Sequence, residues 1–360
     1  MQPSRGSEGP KRNAELEKES VEHLTDGPGV SHIDPEDPAS PNYELISRLR
    51  TPLTLRDIMI EPVRTGYVGQ DRHIDPKLLP PPPAELFPDV SVDEVFAPSP
   101  DGPVRCQVYR PKEGSSGAPG DSTIVLYFHG GGFMVGRSED TEFLTRKICA
   151  QNGVTVISIN YRLAPEWPFP TGLDDYVAVY RWLLDGGSRF DVTADRIAFC
   201  GDSSGANFAA AMPLRVRDAG LPVPGAVVAL APLCDFNFER YESWNRLAPK
   251  GIVYDAAFAG FLRGAYVRYE DWSHPHVSPI YGDLQGYPPA LLIVGTEDPI
   301  VDSVHTFADK LKEAGSEKVE LFVREGMPHG FYFFPGLFKE EAEAYAAVRK
   351  FLEETLLAAR

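Results

Sequence analysis

From about residue 90 onward the sequence predicts an α/β architecture, a mainly parallel sheet covered by helices on both faces and joined by right-handed crossovers. Three observations carry that expectation. Short apolar runs alternate with runs of helical period: Ile124–Phe128 then 139–151, and 154–160 then 173–184. The run at 124–128 is apolar throughout and 154–160 holds Val154, Val156, Ile157 and Ile159, and both read as buried parallel strands. Finally, the run 195–200 passes into the helix-forming run 206–212 through only Gly201-Asp202-Ser203-Ser204-Gly205, which demands a sharp strand-to-helix turn.

The elements follow in chain order. Residues 1–42 are rich in Pro, Gly, Ser, Glu and Lys, so much of this part is expected to be disordered or loosely packed, with a helix over 14–24. Residues 42–63 carry apolar groups at helical spacing and predict one or two short helices. Pro80 to Pro83 form a stiff connector. Runs 90–96 and 104–109 read as paired early strands. After the parallel strands at 124–128 and 154–160 come 197–200, 226–230, 291–294 and 319–323, with further helices over 301–314 and 339–357. Residues 232–287 break the alternation. They are aromatic and irregular, with Phe236, Phe238, Trp244, Tyr254, Phe258, Phe261, Tyr266, Tyr269 and Trp272, and they read as a lid inserted between two strands.

At 360 residues, 42% hydrophobic and 11% aromatic, the chain can bury a large core. A formal net charge of -17, from 52 acidic against 35 basic residues, argues against nucleic acid and anionic membrane as partners, since both would repel it. Four widely spaced cysteines (Cys106, Cys149, Cys200, Cys234) show no metal or disulfide pattern and read as reduced, buried small side chains. No apolar stretch reaches the ~20 residues of a membrane helix, and the N-terminus has no signal-like core. A cytoplasmic protein is the expectation.

The chemistry centres on Gly201-Asp202-Ser203-Ser204-Gly205. Glycines at its two ends give room for the turn, which pushes the Ser203 side chain out at the top of the sheet, beside N–H groups of the following helix. The second feature is His129-Gly130-Gly131-Gly132-Phe133, directly after the strand ending at Phe128. Consecutive glycines let bare backbone approach a ligand and present N–H donors, as an oxyanion formed in acyl transfer requires. A phosphate loop would want Lys and Ser/Thr after the glycines, and Phe133-Met134-Val135 offers neither. His129 reads as a residue that fixes the loop.

A serine hydroxyl needs a base. If the order is serine, acid, histidine, the loop after the run 291–294 supplies Asp298, with Glu297 and Asp302 as competitors; Asp302 reads better as the cap of the next helix. His305 lies inside that helix, whereas His329 sits in the loop Gly326-Met327-Pro328-His329-Gly330-Phe331 before the last helix. His274-Pro275-His276 lacks a third ligand of fitting spacing, so no metal site is expected.

His129-Gly130-Gly131-Gly132, Tyr161-Arg162-Leu163-Ala164-Pro165-Glu166, Gly201-Asp202-Ser203-Ser204-Gly205, Asp298-Pro299-Ile300-Val301-Asp302 and His329-Gly330-Phe331 together resemble the hormone-sensitive-lipase family of α/β-hydrolases, the bacterial family IV esterases, over roughly residues 90 to 358. The resemblance implies an α/β-hydrolase fold with a triad of Ser203, Asp298 and His329 and an oxyanion hole from the N–H groups of Gly131, Gly132 and Ser204. It also implies no cofactor and a cap from the N-terminal segment plus the insertion. The corresponding division is 1–42, cap helices in 43–88, a catalytic domain of 89–231 and 288–360, and a cap insertion over 232–287. Phe133, Asp202, Phe236 and Phe331 are the expected pocket residues. Two departures stand out: Ala206 replaces a frequent glycine and Trp167 a frequent histidine, the latter at the expected rim of the pocket. The implied activity is hydrolysis of short- to medium-chain acyl esters through an acyl-enzyme. An amidase, lactonase or thioesterase with the same triad is the alternative, as is a non-catalytic small-molecule receptor on the same scaffold, a class that loses the histidine retained here as His329. Members of the family often pair through the edge strand, here 319–323.

Overall fold

The computed structural model describes residues 81–112, 123–187, 190–250, 256–333 and 338–357; the expected disorder of 1–42 and the helices of 43–63 lie outside these residues. After a one-turn helix α1 (Pro83–Leu86), eight strands make one sheet: β1 (Val90–Ala97), β2 (Val104–Pro111), β3 (Ile124–Phe128), β4 (Thr155–Ile159), β5 (Ile197–Asp202), β6 (Ala226–Leu230), β7 (Ala290–Gly295) and β8 (Val319–Arg324). Their spatial order is β1-β2-β4-β3-β5-β6-β7-β8. Only β1 with β2 and β2 with β4 are antiparallel; β4, β3, β5, β6, β7 and β8 run parallel. The apolar runs of β3 and β5 are buried at every residue, as the two-sided burial predicted from their composition requires. β8 lies at the outer edge and is half-buried along its length.

The helices that flank the sheet are α2 (Glu142–Asn152), α3 (Thr171–Leu184), α4 (Ser204–Asp218) and α7 (Val301–Glu313), with α8 (Lys339–Leu352) after the last strand. α2 packs with α8, and α3 with α4, which together sandwich the sheet. α2 starts three residues later than the predicted 139 because the chain first makes a tight 3-10 turn over Ser138–Thr141; it ends where Gly153 takes a left-handed φ of 63°. α8 stops at Leu352 and widens into a π turn over Glu353–Leu357, inside the range expected to be one helix.

The segment between β6 and β7 is more regular than its composition suggested. It holds α5 (Glu242–Leu247), α6 (Ala256–Tyr266) and 3-10 turns at Phe238–Arg240, Tyr269–Asp271 and Pro279–Tyr281. Buried polar groups tie it down. The Asp235 carboxylate accepts hydrogen bonds from the Tyr241 hydroxyl (2.9 Å), the Tyr281 hydroxyl (2.8 Å) and the Asn237 N–H (2.8 Å). Asn207 of α4 donates to the carbonyls of Leu233 (2.6 Å) and Val277 (2.7 Å), clamping both ends of the segment to the helix behind the elbow. Each such bond contributes only about 1 kcal/mol net, but leaving a buried partner unpaired would cost more.

The strand registers decide what meets at the top of the sheet. Phe128 is paired with Gly201, so the loop from 129 and the turn from 202 leave the sheet side by side. Gly295 is paired with Arg324, so Asp298 and His329 leave it side by side as well.

Candidate active site

Ser203 stands between β5 and α4 with φ 53° and ψ -120°, a positive φ that few non-glycine residues adopt. Holding it there costs on the order of 1–3 kcal/mol, which the surrounding packing offsets. That packing leaves no room at the flanking positions: a Cβ on Gly201 would come to 2.5 Å from the Gly205 carbonyl oxygen, and one on Gly205 would collide with the Phe128 carbonyl. The Ser203 N–H is itself held by the Leu230 carbonyl at 2.8 Å.

His329 Nε2 lies 2.9 Å from Ser203 Oγ, and His329 Nδ1 lies 2.7 Å from Asp298 Oδ2. Asp298 is fully buried and its other oxygen accepts the Ile300 N–H at 3.2 Å, which fixes the carboxylate plane. With Nδ1–H donated to the carboxylate, Nε2 is left as the acceptor facing the hydroxyl. The competitors are engaged elsewhere. Asp302 accepts the Ser243 N–H at 2.7 Å, anchoring α5, and Glu297 lies 3.9 Å from Arg246. His305 is exposed on α7. His276 pairs with Asp218 at 2.9 Å, and its N–H is accepted by His274 Nδ1 at 3.1 Å. Among the described residues no three His, Cys, Asp or Glu side chains gather as a metal site.

The glycine loop arches over Ser203 with φ values of 118° at Gly131 and 61° at Gly132, continued by 65° at Phe133. Among the described residues neither glycine N–H is donated to a backbone acceptor. Ser204 opens α4, where a first-turn N–H has no acceptor within the helix. His129 is buried under this loop: Nδ1 is 2.8 Å from the Gly130 carbonyl and the ring stacks on Tyr161 at 4.3 Å. Burial lowers its pKa to about 4, so it is neutral and holds the loop by donating to that carbonyl. Tyr161 is itself kept in place by its neighbour Arg162, whose guanidinium grips the buried Asp175 carboxylate of α3 at 2.7 Å.

Of the expected pocket residues, Phe133, Phe236 and Phe331 are almost completely buried. Phe133 stacks on Tyr266 of α6 at 3.8 Å, with Phe208 and Phe236 behind it. Asp202 is buried as well, and its Oδ1 accepts the Tyr127 hydroxyl at 2.7 Å and the Gly130 N–H at 3.1 Å. Nearest to Gly132 are Phe258, one of the lid aromatics, and Leu262 and Met134, neither of them an expected pocket residue; they lie 3.2, 3.5 and 3.5 Å from a Cβ placed on that glycine. Trp167 is half-exposed, stacked by Arg162 at 5.1 Å, in a surface groove with Asp101, Thr171 and Asp174.

Burial is the largest influence on the Asp202 carboxyl and pushes it up to about 6, against the lowering effect of its hydrogen bonds to Tyr127 and Gly130. A carboxyl whose folded pKa lies above its unfolded one takes up its proton more readily when folded. Its stabilising contribution is therefore complete below the ordinary carboxylate range and is lost as pH rises through about 6. Asp202→Asn, which cannot ionise, should gain on the parent by up to about 3 kcal/mol between about pH 4 and pH 8. Thermal melts of both proteins across that range test this, and a gap that does not widen with pH would contradict it.

Among the described residues no helix is long and apolar enough to cross a membrane. Residues 125–333, more than half of the chain, match the family of the alpha/beta hydrolase fold. The acetyl-hydrolase of Streptomyces hygroscopicus is 35% identical over 196 residues, which are 54% of this chain and 64% of that one, so the chain spans just under two thirds of this relative. Carboxylesterase NlhH of Mycobacterium tuberculosis is 32% identical over 269 residues, 73% of this chain and 82% of its own. Among solved structures, an esterase from the bacterial hormone-sensitive lipase family superposes with a TM-score of 0.66 at 32% identity, covering 74% of this chain and 85% of the other. With the fold, the order of the motifs and these relatives in agreement, the chain belongs to the α/β-hydrolase fold family, in its hormone-sensitive-lipase branch.

Proposed function

We propose that the protein is a serine esterase in which Ser203 is the nucleophile, His329 the general base and acid, and Asp298 the group that orients the imidazole. The observation that carries this reading is the unbroken chain of contacts from Asp298 through His329 to Ser203, at 2.7 and 2.9 Å, beside a loop in which the Gly131 and Gly132 N–H groups are donated to no backbone acceptor. Ser203 Oγ attacks the ester carbonyl while His329 Nε2 takes its proton, and Asp298 stabilises the resulting imidazolium. The oxyanion is received by the N–H groups of Gly131, Gly132 and Ser204; losing one donor of this kind costs about 10²–10³ in rate. His329 then protonates the leaving alcohol, and water repeats the sequence on the acyl-enzyme.

The substrate class is a small ester with a short to medium acyl group. Phe258, Leu262 and Met134 crowd Gly132, and the aromatic stack of Phe133 and Tyr266 fills the space behind the loop, so little room is left for a long chain beside the reacting carbonyl. The name of the acetyl-hydrolase relative agrees with a short acyl group. The same reading has two copies pairing along β8, one of the sheet's two edge strands among the described residues. A cytoplasmic setting suits the four buried free thiols. Rates on p-nitrophenyl esters from acetate to palmitate, with an anilide, a lactone and a thioester alongside, test the assignment. Acetate to hexanoate esters should lead. A faster anilide, lactone or thioester would replace the esterase reading by another with the same triad.

A further inference from the structure

We propose that Asp202 is a positioning residue which locks the oxyanion loop to the nucleophile turn through the Gly130 N–H. The proposal rests on the esterase reading above and assigns that site one more residue. Asp202 adjoins Ser203 in the chain, so its backbone moves with the nucleophile. Its Oδ1 accepts two hydrogen bonds, from the Tyr127 hydroxyl at 2.7 Å and from the Gly130 N–H at 3.1 Å. A single oxygen atom thus gathers the end of β3, the start of the glycine loop and the end of β5. The contact to the loop is tight on both sides, because a Cβ on Gly130 would run into Asp202 Oδ2. Gly131 and Gly132 follow at once, so the direction of their N–H groups is set by where Gly130 is held.

The carboxylate is buried, among the described residues no lysine or arginine is paired with it, and its ionised form is opposed by burial more than it is favoured by its hydrogen bonds and the nearby His329. A group that is costly to ionise there is explained by what it aligns. Donors serve an oxyanion only within about 2.7–3.1 Å of the developing charge, and a displacement of about 1 Å can cost about 10²-fold. Gly130 without an acceptor would let the loop shift by that amount while leaving the substrate contacts of the insertion in place. The loss should therefore fall on kcat.

The test measures Asp202→Ala, Asp202→Asn and Tyr127→Phe on p-nitrophenyl acetate, with competent serines counted by phosphonate titration. Asp202→Ala should lower kcat per titrated serine about 10–10²-fold with KM changed less than about threefold, and should weaken a trifluoromethyl ketone, which binds as a serine oxyanion adduct, by the same factor. Asp202→Asn should recover most of the loss, since its amide oxygen accepts from both partners. Tyr127→Phe should lose less and add nothing when combined with Asp202→Ala. A purely structural role would lower the melting temperature and the titratable fraction while leaving kcat per serine unchanged, and that outcome overturns the proposal. If Asp202→Ala does not fold, wild-type kcat and ketone affinity in Tyr127→Phe overturn it equally. Failure of the esterase reading would look different: wild-type protein that phosphonate does not titrate, or turnover that survives the loss of Ser203.

Discussion

Ser203→Ala should reduce turnover of p-nitrophenyl butyrate by on the order of 10⁶-fold, about 8 kcal/mol of transition-state stabilisation, while the protein stays folded. The size follows from how the three side chains act as one unit. Without Oγ there is no acyl-enzyme, and His329 and the oxyanion donors are left facing a water that nothing positions. The fold should barely notice. Alanine carries a Cβ like serine, so the strain at φ 53° is neither relieved nor increased, and the hydroxyl lost is bonded to His329 rather than to the core. Steady-state rates and a thermal melt check both halves. Turnover within about tenfold of the parent would remove Ser203 from its assigned role.

The second large effect is expected at Asp298. Asp298→Asn should cost about 10⁴-fold in kcat with little change in KM, because an amide in this place can present its N–H to His329 Nδ1 and leave the proton on Nε2, where it cannot accept one from Ser203. The comparison that isolates this is Asp302→Asn. That carboxylate bonds the Ser243 N–H and anchors α5, and an asparagine amide oxygen can accept the same N–H, so the insertion should stay anchored and kcat remain within about tenfold. The opposite ranking would move the acid from 298 to 302.

What could be read from the sequence follows a physical divide. The strand runs, the elbow, and the loops holding Asp298 and His329 were legible because each rests on local rules: apolar runs of strand length, glycines where a side chain cannot fit, a strand end that delivers a loop. Residues whose role depends on a distant neighbour were not legible. Tyr127 is one apolar-looking residue in a buried strand, and only the pairing of β3 with β5 brings its hydroxyl to Asp202. Helix α6 contains Gly260 and Gly264, which lower helix propensity and made 232–287 read as irregular; packing of Tyr266 against Phe133 overrides that. Phe258 was legible as a lid aromatic, but not its place against Gly132, nor that of Leu262, since nothing local says which part of an insertion will lie against a glycine loop.

Ser203 and the base proposed for it, His329, are separated by 126 residues, and His329 follows the edge strand β8. At ribosomal speeds of about 5–20 residues per second, Ser203 emerges roughly 6–25 seconds before His329. Throughout that interval the nascent polypeptide would carry an unarmed hydroxyl, and on the proposed triad reactivity waits until β8 docks beside β7 and brings His329 with it.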